Sequence, residues 1–162
     1  MKKQDMREHV RIWLERILTE HYRHMKVQVF DSHKTKLYKL ISNLGLQKFF
    51  PQFNSWDMKV DITVFTVNKD NAYIALSGLK LEHLALADVG EFLGYTRVVN
   101  PILSILISPE PPVDPLITLL KDYGRLDLLQ YGPHLRHIRI GKWDFTRNEV
   151  IPGSILPPGK LL

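Results

Sequence analysis

Cysteine is absent from this 162-residue chain. That absence removes disulfides, thiolate metal sites, iron–sulfur clusters and cysteine nucleophiles together, and it is the usage expected of a cytoplasmic protein. Long apolar runs are missing too. No window approaches the roughly 18–20 consecutive apolar residues that a membrane-spanning helix requires, so no membrane is expected as a partner. The opening residues MKKQDMREHVRIWLERILTEH start basic but never reach an uninterrupted apolar stretch, and they do not read as a signal peptide. There is no internal repeat, no glycine-rich phosphate loop and no serine in a nucleophile-elbow setting.

What is present suits one domain with a real core: 44% hydrophobic and 24% charged residues over a length that supports substantial burial. The net charge is +5 and the pI is near 9.4. A basic balance favours an anionic partner such as nucleic acid, and says nothing about fold.

Apolar periodicity organises the chain. Met6, Val10, Trp13, Leu14, Ile17 and Leu18 recur at helical spacing and predict an amphipathic helix over 5–24. Residues 26–30 alternate as a short strand. A helix capped by Asp31 or Ser32 and closed near Gly45 follows. Two β-rich runs, 59–67 and 72–80, flank the turn Asn68-Lys69-Asp70-Asn71 and predict an antiparallel hairpin. Neither shows clean polar alternation, so both sheet faces are expected to be covered. A helix over 84–99 with Leu84, Val89, Phe92 and Leu93 inward, a buried strand at 101–108, a helix over 115–124 and strands near 126–132 and 136–145 complete the reading. Residues 1–145 are taken as one α/β domain with a mixed sheet flanked by helices. Residues 146–162, with Pro152, Pro157 and Pro158, are taken as an extended arm.

Strand geometry selects the candidate site. Asp61, Thr63 and Phe65 share one face of the first hairpin strand, and Gly78 and Lys80 share one face of the second. Pairing about the turn brings Asp61 and Lys80 together at the hairpin's far end. One reading is a partly buried ion pair, with Gly78 relieving crowding or marking a bulge. The other is a metal site, with the aspartate as oxygen ligand and the lysine beside an activated water.

These residues carry a family resemblance. Val60-Asp61, then Gly78-Leu79-Lys80, then Glu91-Phe92-Leu93-Gly94-Tyr95 resemble, in order and spacing, the core of the PD-(D/E)xK nucleases. That superfamily includes Holliday-junction resolvases, restriction endonucleases and RecB-type exonucleases. Its pattern is helix–strand–strand–strand–helix–strand, with Pro-Asp on the second strand, Glu-x-Lys on the third and, in RecB-like members, Gln-x-x-x-Tyr on the next helix. The likeness spans about 27–108. It implies a restriction-endonuclease-like core and Mg²⁺- or Mn²⁺-dependent endo- or exonucleolytic hydrolysis of DNA. Asp61 is then metal ligand, Lys80 assists the attacking water, Glu91 is second ligand and Tyr95 is the helix signature.

Gly78 departs from the pattern, since a glycine stands where the metal-binding glutamate belongs. Glu91 from the following helix, Glu82, or one of Glu8, Glu15 and Glu20 from the first helix are the candidates to replace it. The alternative is an inactive nuclease-like fold that binds nucleic acid or a protein. Lys34, Lys36, Arg97 and Arg139 are the expected phosphate contacts, within a wider set that includes Lys39, Lys48, Arg125, Arg136 and Lys142. Trp56, Tyr95 and Trp143 are candidates for base stacking or core packing. His21 with His24 has helical chelate spacing without a third ligand, and His134 with His137 reads as a basic edge. A homodimer is compatible with this reading.

Overall fold

The computed structural model describes residues 2–162. The amphipathic stripe becomes α1 (Lys3–His21), which lays Met6, Val10, Trp13, Leu14 and Leu18 on the sheet. β1 (Lys26–Asp31) pairs antiparallel with β2 (Ile62–Val67), and β2 with β3 (Ala72–Leu79) across the Asn68–Asn71 turn. Asn68 Oδ1 closes that turn by accepting the N–H groups of Asp70 and Asn71 at 2.9 and 2.7 Å. Helix α3 (Leu86–Val99) then carries the chain back, so that β4 (Leu103–Ser108) runs parallel to β3. Asn100, left-handed at φ 53°, ends α3 just before Pro101, where the next residue cannot continue the helix.

β7 (Arg139–Asp144) is parallel to β4, and β8 (Glu149–Val150) antiparallel to β7, giving a curled six-stranded mixed sheet in the order β1-β2-β3-β4-β7-β8. β5 (Gln130–Tyr131) and β6 (Arg136–His137) form a separate two-stranded ribbon. The sheet has two covered faces. Ile62, Val64, Ala75, Leu79, Ile105, Ile107 and Trp143 meet α1. Phe65, Ile74, Leu76, Leu106 and Ile140 meet α2 (Leu37–Leu44), α3 and α4 (Asp114–Ile117). Burial on both sides explains why the hairpin strands lack polar alternation. Among the described residues no helix is long and apolar enough to cross a membrane.

Four local expectations change. Neither Asp31 nor Ser32 caps α2. Ser32 Oγ donates to the Val60 carbonyl at 2.6 Å, and Asp31 pairs with Arg7 at 3.2 Å; the α2 N-cap is Lys36, without a side-chain cap bond. The 115–124 helix is α4 followed by a π turn at Thr118–Asp122, where the Tyr123 N–H reaches back to the Thr118 carbonyl, and Gly124 ends it at φ 62°. The 126–132 strand is a 3₁₀ turn plus two strand residues. In the tail, Glu149–Val150 join the sheet, Ile155 is buried and Leu156 bridges to Ile140.

Candidate functional site

Asp61 sits one residue before β2, where the hairpin ladder stops. The last β2–β3 pair is Ile62 with Ser77. The Val60 carbonyl, which would carry the ladder further, is taken by Ser32 Oγ. The Leu79 N–H donates to Asp61 Oδ2, at 2.9 Å. Lys3, from the first turn of α1, stands 3.3 Å from Asp61 Oδ1. Both carboxylate oxygens are engaged.

β3 delivers Gly78 and Lys80 to the α3 side, while Leu79 points to α1. Lys80 Nζ donates to Asp88 Oδ2 at 2.9 Å, and the same oxygen accepts the Ala85 N–H at 2.8 Å. Asp88 thus satisfies an otherwise unpaired amide at the start of α3 and holds the lysine. At Gly78, an added Cβ would lie 2.7 Å from Leu106 Cδ2 and 3.3 Å from Phe92 Cδ1. A side chain at this position would therefore require Leu106 to shift.

Asp61, Lys80, Asp88, Glu91 and Tyr95 line one pocket of about 270 Å³, joined by Lys3 and Lys59. It opens at the carboxyl ends of the parallel strands β3 and β4, the usual place for ligands in open α/β sheets. Its charges balance, with Lys3, Lys59 and Lys80 against Asp61, Asp88 and Glu91. On the outer wall the Tyr95 hydroxyl donates to Glu91 Oε1 at 3.2 Å. Burial, and then the Glu91 charge and hydrogen bond, push the Tyr95 phenol above its ordinary range.

As arranged, the donors do not fit a divalent-metal centre. Asp61 is occupied by an amide and an ammonium, Gly78 offers no donor, and Glu91 accepts from Tyr95. Among the described residues no three His, Cys, Asp or Glu side chains gather as a metal-holding group. No family model, curated protein or solved structure matches this chain.

The structure brings together Asp61, Lys80, Glu91 and Tyr95 from the sequence-predicted set. Lys34 and Lys36 lie on the segment 32–36, which runs beside 58–61 through the Ser32 N–H to Asp61 carbonyl and Leu37 N–H to Met58 carbonyl bonds. Arg97 is nine residues beyond Asp88, about 14 Å along α3, with Nη2 3.5 Å from the Gln130 carbonyl. Arg139 begins β7, two strands across from β3 at the level of Ile105 and Ser77. Its guanidinium donates to the carbonyls of Pro157, Lys160 and Gly159 at 2.8–2.9 Å, and burial lowers its pKa. The four expected phosphate contacts therefore do not share one surface.

Glu82, Glu8, Glu15 and Glu20 lie outside the pocket lining, with Glu8 and Glu15 both paired to Arg11. Trp56 and Trp143 are buried core residues. His21 packs on the Tyr22 ring. Sequence reasoning missed Asp88, Lys3 and Lys59. Asp88 carries a readable signal, an acid in the first turn of a helix. Lys3 carries none, because only the fold brings α1 to Asp61.

Proposed function

We propose that this chain is a nucleic-acid-binding module built on a core of the PD-(D/E)xK type, whose pocket engages phosphodiester without hydrolysing it. The core reading is supported by the order α1, β1, β2, β3, α3, β4, with α2 inserted, and by three antiparallel strands followed by a parallel fourth. Asp61 and Lys80 stand at the corresponding strand ends and line one pocket.

One observation carries the absence of turnover: Gly78 offers no donor where the pattern needs a carboxylate, and its Cα is packed against Leu106 and Phe92 so closely that even a Cβ would force Leu106 to move. Asp61 meanwhile finds its counter-charge in Lys3. Binding is supported by the cations at this end. Lys59 lines the pocket with no ion pair among the described residues, Lys3 and Lys80 are shared with Asp61 and Asp88, and Lys34 and Lys36 lie on the neighbouring 32–36 segment. Each phosphate that such a side chain neutralises releases condensed counterions, which makes affinity fall with salt.

A second reading is a Mg²⁺- or Mn²⁺-dependent deoxyribonuclease with Asp61 and Glu91 as ligands. One observation favours it: both line the same pocket as Lys80 and Tyr95. It requires Lys3 to leave Asp61 and Glu91 to release the Tyr95 hydroxyl.

The test is a labelled panel of duplex, branched and single-stranded DNA, incubated with and without Mn²⁺. The proposal expects retention at low salt and intact DNA. Cleavage that Asp61→Ala and Glu91→Ala both abolish would establish the second reading. No retention of any DNA even at low salt would end both.

A further inference from the structure

A larger cavity of about 590 Å³ opens at the other end of the sheet, walled by the end of α1, the start of β4, the β5–β6 ribbon and the proline-containing tail. Strand register fixes its separation from the Asp61 pocket. Leu103, in its wall, is beside Ala75, whereas Ile107 is beside Leu79. Four residues of strand separate the two levels, roughly 13 Å.

The ionisable side chains that line this cavity, its tyrosines aside, are all basic. Its lining includes Arg136, Arg139, His21, His134 and His137, and no aspartate or glutamate side chain. Arg139 is spent on the tail carbonyls. Arg136 is not. Partly buried, it forms no ion pair, and its guanidinium makes no hydrogen bond within the described residues. Its positive charge reaches both the Tyr22 and Tyr131 phenols, where it opposes the burial that raises their pKa values.

A partly buried guanidinium with no ion pair keeps its donors unused, and a planar fork of donors matches the oxygens of a phosphate. The histidines add ring N–H donors on the same lining. Tyr22, Ile102, Leu135 and Pro157 supply an apolar wall. The volume falls in the roughly 300–1,000 Å³ range of small-molecule sites. We propose that this cavity binds a phosphomonoester attached to an apolar or aromatic group, with Arg136 as principal anion ligand and His134 and His137 as further donors. Such a group is offered by a free nucleotide or by the 5′-phosphorylated end of a nucleic-acid strand.

The experiment is titration calorimetry of the full chain with AMP and with a short oligonucleotide bearing either a 5′-phosphate or a 5′-hydroxyl. The same probes are applied to Arg136→Gln, Arg136→Lys and Lys59→Gln, each checked for native circular dichroism. AMP affinity, or the extra affinity that a 5′-phosphate adds over a 5′-hydroxyl, should be present in the native chain, fall at least tenfold in Arg136→Gln, recover in part in Arg136→Lys and stay unchanged in Lys59→Gln, whatever that variant does to strand binding as such. AMP binding without a preference for the phosphorylated strand assigns the site to free nucleotides. A preference for the phosphorylated over the hydroxyl end assigns it to strand ends. Failure of every phosphate-bearing probe to bind the native chain, or equal binding by a folded Arg136→Gln, overturns the proposal. Because Lys59 lies in the other pocket, loss of AMP binding or of the 5′-phosphate preference in Lys59→Gln alone would also overturn it, while leaving the DNA-binding reading intact.

Discussion

Lys80 at the end of β3 and Asp88 in the first turn of α3 are joined by a 2.9 Å ammonium–carboxylate bond, and the same Asp88 oxygen closes the start of the helix at Ala85. One side chain thus fixes both the lysine and the helix entry. Lys80 and Asp88 are each about a third exposed, at 34% and 28% for their side chains, so their charge attraction alone contributes little. The cap contributes more.

Asp88→Ala is therefore expected to cost about 1 kcal/mol of stability, in the range of lost helix caps. Asp88→Asn, which keeps an acceptor for Ala85 but not the charge, should cost clearly less. Urea unfolding of the two variants against the native chain checks this. Equal losses would show that the ion pair, and not the cap, is the main contribution.

Gly78→Ala places a methyl group 2.7 Å from Leu106 Cδ2, in a site where Leu106 is only 5% exposed. The expected loss is about 1–3 kcal/mol from overpacking. In a double-mutant cycle with Leu106→Ala, the combined loss should be smaller than the sum of the two, because the second change vacates the space the first one needs. Strict additivity would mean that Leu106 is not what excludes a side chain at Gly78.

Tyr131 sets an alkaline limit. Its hydroxyl donates to the Pro101 carbonyl at 2.9 Å, and burial pushes its pKa from 10.0 up to about 12, with Arg136 opposing. The folded chain holds this proton where the unfolded chain has released it. The stabilisation is whole below pH 10.0, and is lost as pH rises towards about 12. Urea midpoints across that window should fall more steeply for the native chain than for Tyr131→Phe. Parallel curves would contradict the burial of the phenol.

Arg139 straps the tail by three hydrogen bonds to carbonyl oxygens. Arg139→Ala should leave the sheet folded but expose the segment after Leu156. Limited proteolysis should then cut at Lys160 faster than in the native chain. An unchanged rate would mean that the Ile140–Leu156 bridge suffices to hold the tail.

Local pattern made the hairpin legible. The Asn68–Asn71 turn sets a symmetric register, and period-two geometry then takes Asp61 and Lys80 to one end. The α1 stripe was equally plain, since Met6, Val10, Leu14 and Leu18 are all buried at helical spacing. What stayed hidden depends on contacts distant in sequence. Leu106 fills the Gly78 space from 28 residues away, and Lys3 reaches Asp61 from 58 residues away, counted along the numbering. β8 has two residues, too few for any periodicity, and exists because β7 offers an open edge. The basic residues gave no sign of their separation. Lys34 and Arg139 look alike in a list of charges, yet one lies on the segment hydrogen-bonded beside 58–61 and the other is bound by the tail.

The central claim is that the Asp61 end of the sheet holds nucleic acid through phosphate contacts and leaves it intact. The most direct measurement is fluorescence anisotropy of labelled DNA with Mg²⁺ present, across a salt series, for the native chain and for Lys3→Gln and Lys59→Gln, with the DNA length checked afterwards. The account predicts retention that weakens linearly in log–log form as salt rises. Each lysine substitution should flatten that slope by about 0.9 for a duplex, and the DNA should be recovered at full length. A slope unchanged by both substitutions, or DNA shortened by the native chain but not by Asp61→Ala, would contradict it.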